Sequence, residues 1–277
     1  MGSDRFDRSK VTEIDYSSGS VPFKKETFYS YSPDLFRLTR TRQKNSVGQD
    51  QEQSFWYAND YSETLSNAGI AALKTNNIVS LPLKTITTNN GQITSGTVNQ
   101  CNNWGNILQT YVYESNLPQA LPTHDANTYY PVGFNLKQTL SYNADNKIQQ
   151  QAKVNDIPTT YLWGYNRSYP IAEIKNATYA EVVAVLGQAV IDELAGASPG
   201  TEAQVRQKLA PLRTDIRLQK AQVSILTHQP LVGMTSATDA AGVTTYYEYD
   251  ALQRLKQVKD LNGNIVRQNI YHYKGQP

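Results

Sequence analysis

The side chains best suited to chemistry in this sequence are three histidines and a single cysteine. His124, His228 and His272 lie far apart, and no two of them have the H-x-H or H-x-x-x-H spacing that a metal site favours. Cys101 has no second cysteine, so the sequence provides neither a disulfide nor a cysteine-based metal site, and we expect its thiol to be buried in a strand. We therefore expect no catalytic residues, no metal site, no cofactor and no enzymatic activity.

The acidic segment closest to a calcium loop is Asp260-x-Asn262-x-Asn264. A calcium ion needs several oxygen ligands from one loop. Asp and Asn side chains also close tight turns, because they accept hydrogen bonds from the backbone two residues further on. The turn is the interpretation that we prefer for this segment.

Aromatic side chains are the remaining candidates for binding. Trp56, Trp104 and Trp163, together with 19 tyrosines, are suited to stacking on sugars or to contact with a protein partner. Most such side chains instead belong to a core or to a sheet face. A glycan or partner surface at the three tryptophans is therefore a prediction to be tested against that simpler interpretation.

Positive charge is concentrated near one predicted strand but is small overall. Arg40 and Arg42 share a strand face, close to Arg37 and Lys44. Binding of an anionic polymer is one interpretation, and protection of an edge strand against aggregation is the one that we favour. The formal net charge is +2, which is too small to indicate binding to nucleic acid or to an anionic membrane.

The composition indicates strands with one face in water. Of the 277 residues, 39% are hydrophobic and 18% are charged, and uncharged polar residues fill much of the remainder. Tyrosine suits such strands because its ring packs while its hydroxyl stays hydrated. No apolar run reaches the roughly 18 residues of a membrane helix, so we expect no membrane span in this chain.

Period-2 alternation and turn residues predict a series of short strands. A polar loop over 45–53 and a short helix over 62–74, capped by Ser62, interrupt the series. Asn89-Asn90-Gly91 and Asn103-Trp104-Gly105-Asn106 are typical of hairpin turns. The predicted strands are 26–31, 35–42, 54–57, 84–88, 107–113, 136–142, 147–154, 159–165 and 221–228.

One zone of the sequence is strongly helical. Thr178 and Glu181 have the spacing of a capping box, and an apolar stripe follows them. A second capping box begins at Thr201, and Pro211 divides the helix that follows. We expect an antiparallel helical hairpin over 176–220, inserted between two strands.

The clearest pattern is near the C-terminus, where residues 242–266 predict three strands joined by two turns. Asp250 is suited to closing the first turn through its carboxylate, and Asn262-Gly263-Asn264 supplies the second. Tyr247 and Tyr249 share one face of the first strand.

This segment resembles the YD repeat of RHS and teneurin-type proteins, in outline G-x-x-x-x-x-Y-x-Y-D-x-x-G-R-L. Gln253 stands where that repeat prefers glycine, and weaker copies of the plan occur over 96–113 and 136–165. The wider stretch 50–274 is similar to the C-terminal region of large RHS/YD-repeat proteins from Bacteroidetes. The residues that carry the motif are Gly242, Tyr247, Tyr249, Asp250, Arg254, Leu255 and, in the second turn, Gly263.

The resemblance implies a mainly β fold, a YD-repeat-type antiparallel or spiral β-sheet into which the α-helical hairpin is inserted. We divide the chain accordingly into four parts. These are a degenerate β-repeat segment over 4–60, β-hairpin repeats with a short helix over 61–175, the inserted helical hairpin over 176–220, and a terminal YD repeat over 221–277.

The resemblance also implies an exported, non-enzymatic role. The first hypothesis is the C-terminal cap of a large RHS/YD-repeat protein that is extracellular or at the cell surface, associated with the outer membrane. It would act in adhesion, motility or interaction with envelope proteins, with protein partners that include envelope or secretion components. The alternatives are a shell segment that encloses a toxin or another polypeptide cargo, and a glycan-binding domain. Nucleic acid is not expected as a partner.

Overall fold

The computed structural model describes residues 9–16, 23–63, 67–129 and 132–272. In this part of the chain the fold is mainly β, with sixteen strands in one sheet whose order follows the sequence. All the strand pairs whose registers are defined are antiparallel, as in a meander. The predicted mainly β, antiparallel fold is confirmed.

The chain divides into two compact units, of which the first is Met1–Thr139. Its described part contains strands, one 3-10 helix at Ala58–Asp60 and one α-helix. In chain order the elements are β1 (Lys10–Asp15), β2 (Phe23–Tyr31), β3 (Leu38–Lys44), β4 (Asp50–Trp56), α1 (Ala68–Thr75), β5 (Lys84–Asn89), β6 (Gln92–Cys101), β7 (Ile107–Tyr113) and β8 (Phe134–Tyr142), which continues into the second unit.

The polar segment 45–53, predicted to be a loop, is a loop only as far as residue 49. From Asp50 onward it forms β4, which pairs with β3 in a register that places Arg42 opposite Glu52. Every residue of β4 is half-buried. The strand therefore lacks the alternation of apolar and polar residues that predicts a strand with one covered face.

The short helix α1 begins later than predicted. Asn67, not Ser62, is its N-cap, because the Asn67 side chain accepts a hydrogen bond from the Ile70 backbone nitrogen at 3.2 Å. The Ser62 nitrogen instead donates to the Ala126 carbonyl. The hairpin turn between β5 and β6 is as predicted, with Asn90 and Gly91 at φ 50° and 78°.

The core of the first unit lies beneath α1. Cys101 is buried there as predicted, and burial raises the pKa of its thiol to about 11. The buried members of this cluster are Ala58, Tyr61, Ile70, Leu73, Leu83, Val98, Cys101 and Tyr129.

The second unit, Leu140–Pro277, contains the helical insertion. Its elements are β9 (Ile148–Lys153), β10 (Thr159–Gly164), β11 (Tyr169–Lys175), α2 (Tyr179–Leu186), α3 (Gln188–Ala195), α4 (Glu202–Leu209), α5 (Pro211–Thr214), a 3-10 helix (Ile216–Leu218), β12 (Gln222–Gln229), β13 (Gly233–Thr238), β14 (Thr244–Tyr249), β15 (Leu255–Lys259) and β16 (Ile265–Gln268).

The insertion lies between the paired strands β11 and β12, as expected, but it is not a simple hairpin. Both capping boxes form, at Thr178 and at Thr201. Gly187 adopts φ +77° and ends α2, so the apolar stripe is carried by two helices instead of one. Pro211 opens α5 and divides the second half, as predicted. The predicted two-helix hairpin is therefore corrected to four short helices.

The insertion covers one face of β10, β11 and β12. Buried residues alternate along β10 and β12, which is the pattern of a sheet with one covered face. This core contains Leu162, Ile171, Ala172, Ile174, Ala177, Val182, Leu186, Ile191, Leu194, Val205, Leu209, Leu212, Leu218, Val223 and Ile225.

Other strands are not covered in this way. Every residue of β4 and of β7 is half-buried, and in β9 only Lys153 is exposed. Side chains on both faces of these strands therefore keep contact with solvent. No helix in the described part of the chain is long and apolar enough to cross a membrane. The four-part division made from the sequence remains a prediction.

Candidate functional site

The predicted turn of the terminal repeat is built around Asp250, between β14 and β15. The Asp250 carboxylate Oδ1 accepts hydrogen bonds from the backbone nitrogens of Leu252 and Arg254, both at 2.9 Å. Its Oδ2 accepts from the Arg254 guanidinium at 2.8 and 2.5 Å. These bonds lower the pKa of Asp250. The Arg254 guanidinium also lies over the Tyr271 ring, 4.3 Å from its centroid.

The same five-residue turn occurs six times in the described part of the chain. In each copy the first residue is Asn or Asp, and its side-chain oxygen accepts from the backbone nitrogen of the fifth residue. The backbone nitrogen of the first residue donates to the carbonyl of the fifth, and the nitrogen of the fourth donates to the carbonyl of the first. The copies are 45–49, 102–106, 143–147, 239–243, 250–254 and 260–264.

The fourth position of this turn always has a positive φ. Glycine occupies it in four copies, including the motif residues Gly242 and Gly263. Asn146 and Gln253 occupy it in the other two, at φ 57° and 62°. Gln253 therefore occupies a backbone conformation that favours glycine, which explains the glycine in the family pattern. The sequence signal for the turn is Asn or Asp followed three residues later by Gly or Asn.

Replacing Gln253 by glycine should stabilise the protein by about 0.5–1 kcal/mol, because it relieves a left-handed conformation at an exposed side chain. The free energy of unfolding in urea measures this. The matched control is Gly263→Gln, which should destabilise by a similar amount, since open space surrounds Gly263 and backbone strain alone decides the outcome. Equal stability of the three proteins would contradict the turn assignment.

The calcium interpretation of residues 260–264 is not supported by the geometry of the turn. Asp260 Oδ1 accepts from the backbone nitrogens of Asn262 and Asn264, and Oδ2 accepts from the Asn264 amide at 2.9 Å. N–H donors thus engage both carboxylate oxygens, as they do in the turn at Asp250. This agrees with the turn interpretation.

Tyr249 explains why the motif carries a tyrosine immediately before its aspartate. Its hydroxyl donates to the Met234 carbonyl at 2.9 Å, and its ring passes so close to Gly233 that a Cβ there would overlap it. The tyrosine therefore clamps β14 onto β13. On the neighbouring strand the Leu255 carbonyl accepts from the Tyr271 hydroxyl at 2.9 Å. Tyr271 and His272 follow the end of β16, and residues 273–277 lie outside the described residues.

Tyr249→Phe is expected to lower the free energy of unfolding by about 1 kcal/mol, the value of one neutral hydrogen bond. Thermal and urea unfolding measure the change. Tyr247→Phe is the matched control, because no hydrogen bond of the Tyr247 hydroxyl occurs within the described residues. If Tyr247→Phe lost as much stability as Tyr249→Phe, the hydrogen bond from Tyr249 to Met234 would not be what stabilises the pairing of β14 with β13.

The three tryptophans differ in their exposure and surroundings. Trp104 projects from the turn 102–106 and is 69% exposed, whereas Trp56 and Trp163 are half-buried. The Trp163 indole nitrogen donates to the Ile148 carbonyl at 2.7 Å. Trp56 packs against the core beneath α1. Of the three, Trp104 presents the largest free surface and Trp163 lies in a pocket.

That pocket lies between the sheet and the insertion, with a cavity volume of about 340 Å³. Its lining combines aromatic rings, amides and charges. The Tyr161 hydroxyl accepts from Gln151 at 2.9 Å, and the Gln188 amide donates to Asp192 at 2.9 Å. The principal lining residues are Tyr142, Tyr161, Trp163, Arg167, Tyr179 and Gln188.

The cationic cluster has a different role from the one expected. Strand β3 lies between β2 and β4, so it is not an edge strand. Arg42 pairs with Asp50 at 2.7 Å, and Arg40 lies 3.6 Å from Glu52. The edge-protection interpretation is therefore wrong, because acidic residues of the neighbouring strand neutralise these cations.

Sequence reasoning missed two buried cations. Arg37 is 8% exposed and places its guanidinium over the Tyr57 ring, 4.7 Å from the centroid, with Asp60 at 3.8 Å. Lys84, at the start of β5, is 4% exposed. No local sequence pattern predicts the burial of Arg37 or of Lys84, because the residues that they contact lie far away along the chain.

No family model matches this chain, and no curated protein matches it. The crystal structure of TcdB2-TccC3-Cdc42 aligns with 90% of this chain at 11% identity and a TM-score of 0.50. That of TcdB2-TccC3-TEV aligns with 96% of this chain at 13% identity and a TM-score of 0.50. The chain spans only 10% and 11% of those chains. At such identity the likeness shows the fold alone, and this fold is consistent with the RHS type that the sequence resembles.

Proposed function

We propose that this chain is a non-catalytic wall segment of a shell that encloses a polypeptide cargo within a larger RHS-type protein. The observation that carries the proposal is the half-burial of strands such as β4 and β7 along their whole length. A wall one sheet thick needs strands of this kind, since one face meets solvent and the other meets the contents of the shell.

The turns support the same function. Six copies of one five-residue Asx turn give the sheet a repeated, self-contained hairpin connection. Each copy pairs several of its own backbone groups, so the hairpin connection needs no further element to close it. Repetition of one small unit is the means by which repeat proteins build extended surfaces.

The comparisons support protein partners, whereas the extracellular or envelope location that we propose rests on the sequence resemblance alone. The aligned chains are roughly ten times as long as this one, given coverages of 10% and 11%, so a segment of a longer wall fits the alignment. The aligned structures are those of TcdB2-TccC3-Cdc42 and TcdB2-TccC3-TEV, in which TcdB2 and TccC3 occur together. Nothing in the comparisons favours adhesion or motility, so the shell is preferred over the cap hypothesis.

Paired cysteine variants test the proposal. Gln53 and Ser54 are adjacent half-buried residues of β4, and their side chains point to opposite faces of the sheet. In the isolated chain, Gln53→Cys and Ser54→Cys should react with a bulky hydrophilic maleimide at similar rates. In the full-length parent protein, one of the two should react at least about tenfold more slowly, because its face is enclosed. The unsubstituted protein gives the background of Cys101.

Equal labelling rates at both positions in the parent protein would contradict the proposal that this chain is part of a shell wall. Unequal labelling rates in the isolated chain would also contradict the proposal, because the difference between the two faces would then not depend on enclosure in the parent protein.

A glycan-binding function is the second candidate, carried by the pocket around Trp163. Aromatic rings beside amide and charged groups suit a sugar, which presents both an apolar face and hydroxyls. A glycan array with the unsubstituted chain and with Trp163→Ala tests it, with Trp104→Ala as the surface control. Binding that only Trp163→Ala removes would support a sugar in this pocket, and the absence of any binding would eliminate the candidate.

A further inference from the structure

Lys84 is a buried cation in an aromatic enclosure. Its Nζ lies 4.6 Å from the centroid of the Trp56 ring and 5.6 Å from that of Tyr61. The ammonium is also within hydrogen-bond distance of His124 Nδ1, at 3.2 Å. Cation–π contacts of this kind gain strength when the cation is desolvated.

His124 is a neutral partner for this ammonium. Its Nε2 lies 2.8 Å from the Asp60 carbonyl oxygen, which is an acceptor, so Nε2 carries the proton and donates. Nδ1 then has a free lone pair and accepts from Lys84. The histidine therefore orients the lysine without compensating its charge.

No carboxylate among the described residues forms an ion pair with Lys84. The Asp60 carboxylate accepts from the Tyr57 nitrogen at 2.7 Å and faces Arg37. The Asp125 carboxylate accepts from the Thr128 hydroxyl and the Asn127 nitrogen. Burial lowers the pKa of Lys84 to about 8, although the charges of Asp60 and Asp125 act in the opposite direction.

A cavity opens beside this ammonium. Its volume is about 580 Å³, within the ~300–1,000 Å³ range of small-molecule sites. Its charged and polar lining residues are Lys84, His124, Asp125, Gln119, Thr123 and Thr128, and the Trp56 ring lies beside Lys84. The remainder is largely apolar, lined by Ile86, Ile93, Ala120, Leu121, Pro122 and Val132.

We propose that this cavity binds a small amphipathic monocarboxylate, with its carboxylate on Lys84 and its apolar body against the Ile86–Leu121 side. A buried ammonium that lacks an anion is costly, and a bound carboxylate supplies both the counter-charge and hydrogen-bond acceptors. Lysine is rarely fully buried unless it is paired, so a purely structural role leaves the missing anion unexplained. The site is independent of the shell function.

Calorimetric titration with octanoate tests the proposal. The unsubstituted chain should bind octanoate, and it should bind octylamine, which has the opposite charge, at least about tenfold more weakly. Lys84→Met retains the length of the side chain and should lose at least about tenfold in octanoate affinity. Lys137→Met is the control, because Lys137 is half-buried on β8, outside the lining of this cavity, and pairs with Glu114.

The pH dependence provides a test that needs no variant. Lys84 is protonated below pH about 8 and binds the carboxylate, and it loses its proton above that pH. Octanoate affinity should therefore be level between about pH 6 and pH about 8, where octanoate keeps its charge, and fall above pH about 8, while 1-octanol affinity should not follow this change. The charged groups that face Lys84 are Asp60 of the 3-10 helix and Asp125 of the loop that carries His124.

Three results would overturn the proposal. These are no octanoate binding by the unsubstituted chain, undiminished binding by a folded Lys84→Met, and an octanoate affinity that does not fall above pH about 8. If Lys84→Met does not fold, the pH series and Lys84→Arg decide the question. Lys84→Arg should retain octanoate binding to a higher pH, because arginine stays charged.

Discussion

Replacing Leu209 by alanine is expected to lower the free energy of unfolding by about 2–5 kcal/mol. Leu209 is fully buried in the core beneath the insertion, and α4, which carries it, packs against β12. Removal of one methine and two methyl carbons both forfeits transfer free energy and leaves a cavity that the surrounding side chains fill only in part. Urea unfolding followed by circular dichroism measures the loss.

Leu252→Ala is the matched control for Leu209→Ala. Leu252 is 64% exposed in the turn 250–254 of the same unit, so its truncation should change stability by less than about 0.5 kcal/mol. Equal losses in the two variants would mean that the insertion does not cover the sheet. A large loss at Leu209 alone supports a packed insertion.

Replacing Gly69 by alanine is expected to destabilise the first unit by about 1–3 kcal/mol, although alanine is the better helix former. A Cβ at Gly69 would overlap the carbonyl oxygen of Cys101, at the point where α1 meets β6. The obstructing atom belongs to the backbone of a paired strand and has no rotamer by which to move away. The overlap therefore outweighs the roughly 1 kcal/mol that alanine gains in an open helix.

Two measurements separate this overlap from helix propensity. Ala71→Gly, at an exposed position of the same helix, should cost about 1 kcal/mol by propensity alone. Alkylation of the single cysteine should also be faster in Gly69→Ala, because displacement of α1 uncovers the Cys101 thiol. A stabilised Gly69→Ala with an unchanged alkylation rate would show that α1 does not approach β6 so closely.

The sequence predicted best what is decided locally. The capping boxes at Thr178 and Thr201 depend on side chains three residues apart, and both form. The Asn90-Gly91 turn is likewise decided by the residues within it. Gly187 is a local signal that was missed, since a glycine in an apolar stripe does not reveal its positive φ.

The recurrence of the Asx turn was predicted only in part. Asp250 and residues 262–264 were assigned to turns, and the hairpin at 103–106 was assigned without its Asn102 acceptor. The copy at 239–243 was overlooked because Asp239 follows a threonine, whereas Asp250 of the motif follows a tyrosine, and because three small residues come after it. The copies share a positive φ at the fourth position. Glycine adopts this conformation most readily, but Asn and Gln also occupy it here.

The polar strand β4 and the buried cations could not be predicted from local patterns. Half-burial on both faces leaves β4 without alternation. Arg37 donates to the Val79 carbonyl, 42 positions away, and Lys84 meets His124, 40 positions away. Such contacts depend on the order of the strands in the sheet and on loops that fold back over it. A short stretch of sequence does not predict either.

The most direct measurement is an electron cryomicroscopy structure of the full-length parent protein, with this chain located in its density. The account predicts that one face of the strands β4 and β7 borders an enclosed volume containing polypeptide density, while the other face borders bulk solvent. A structure in which both faces of these strands meet solvent, or in which another folded domain covers one of them completely, would contradict the shell.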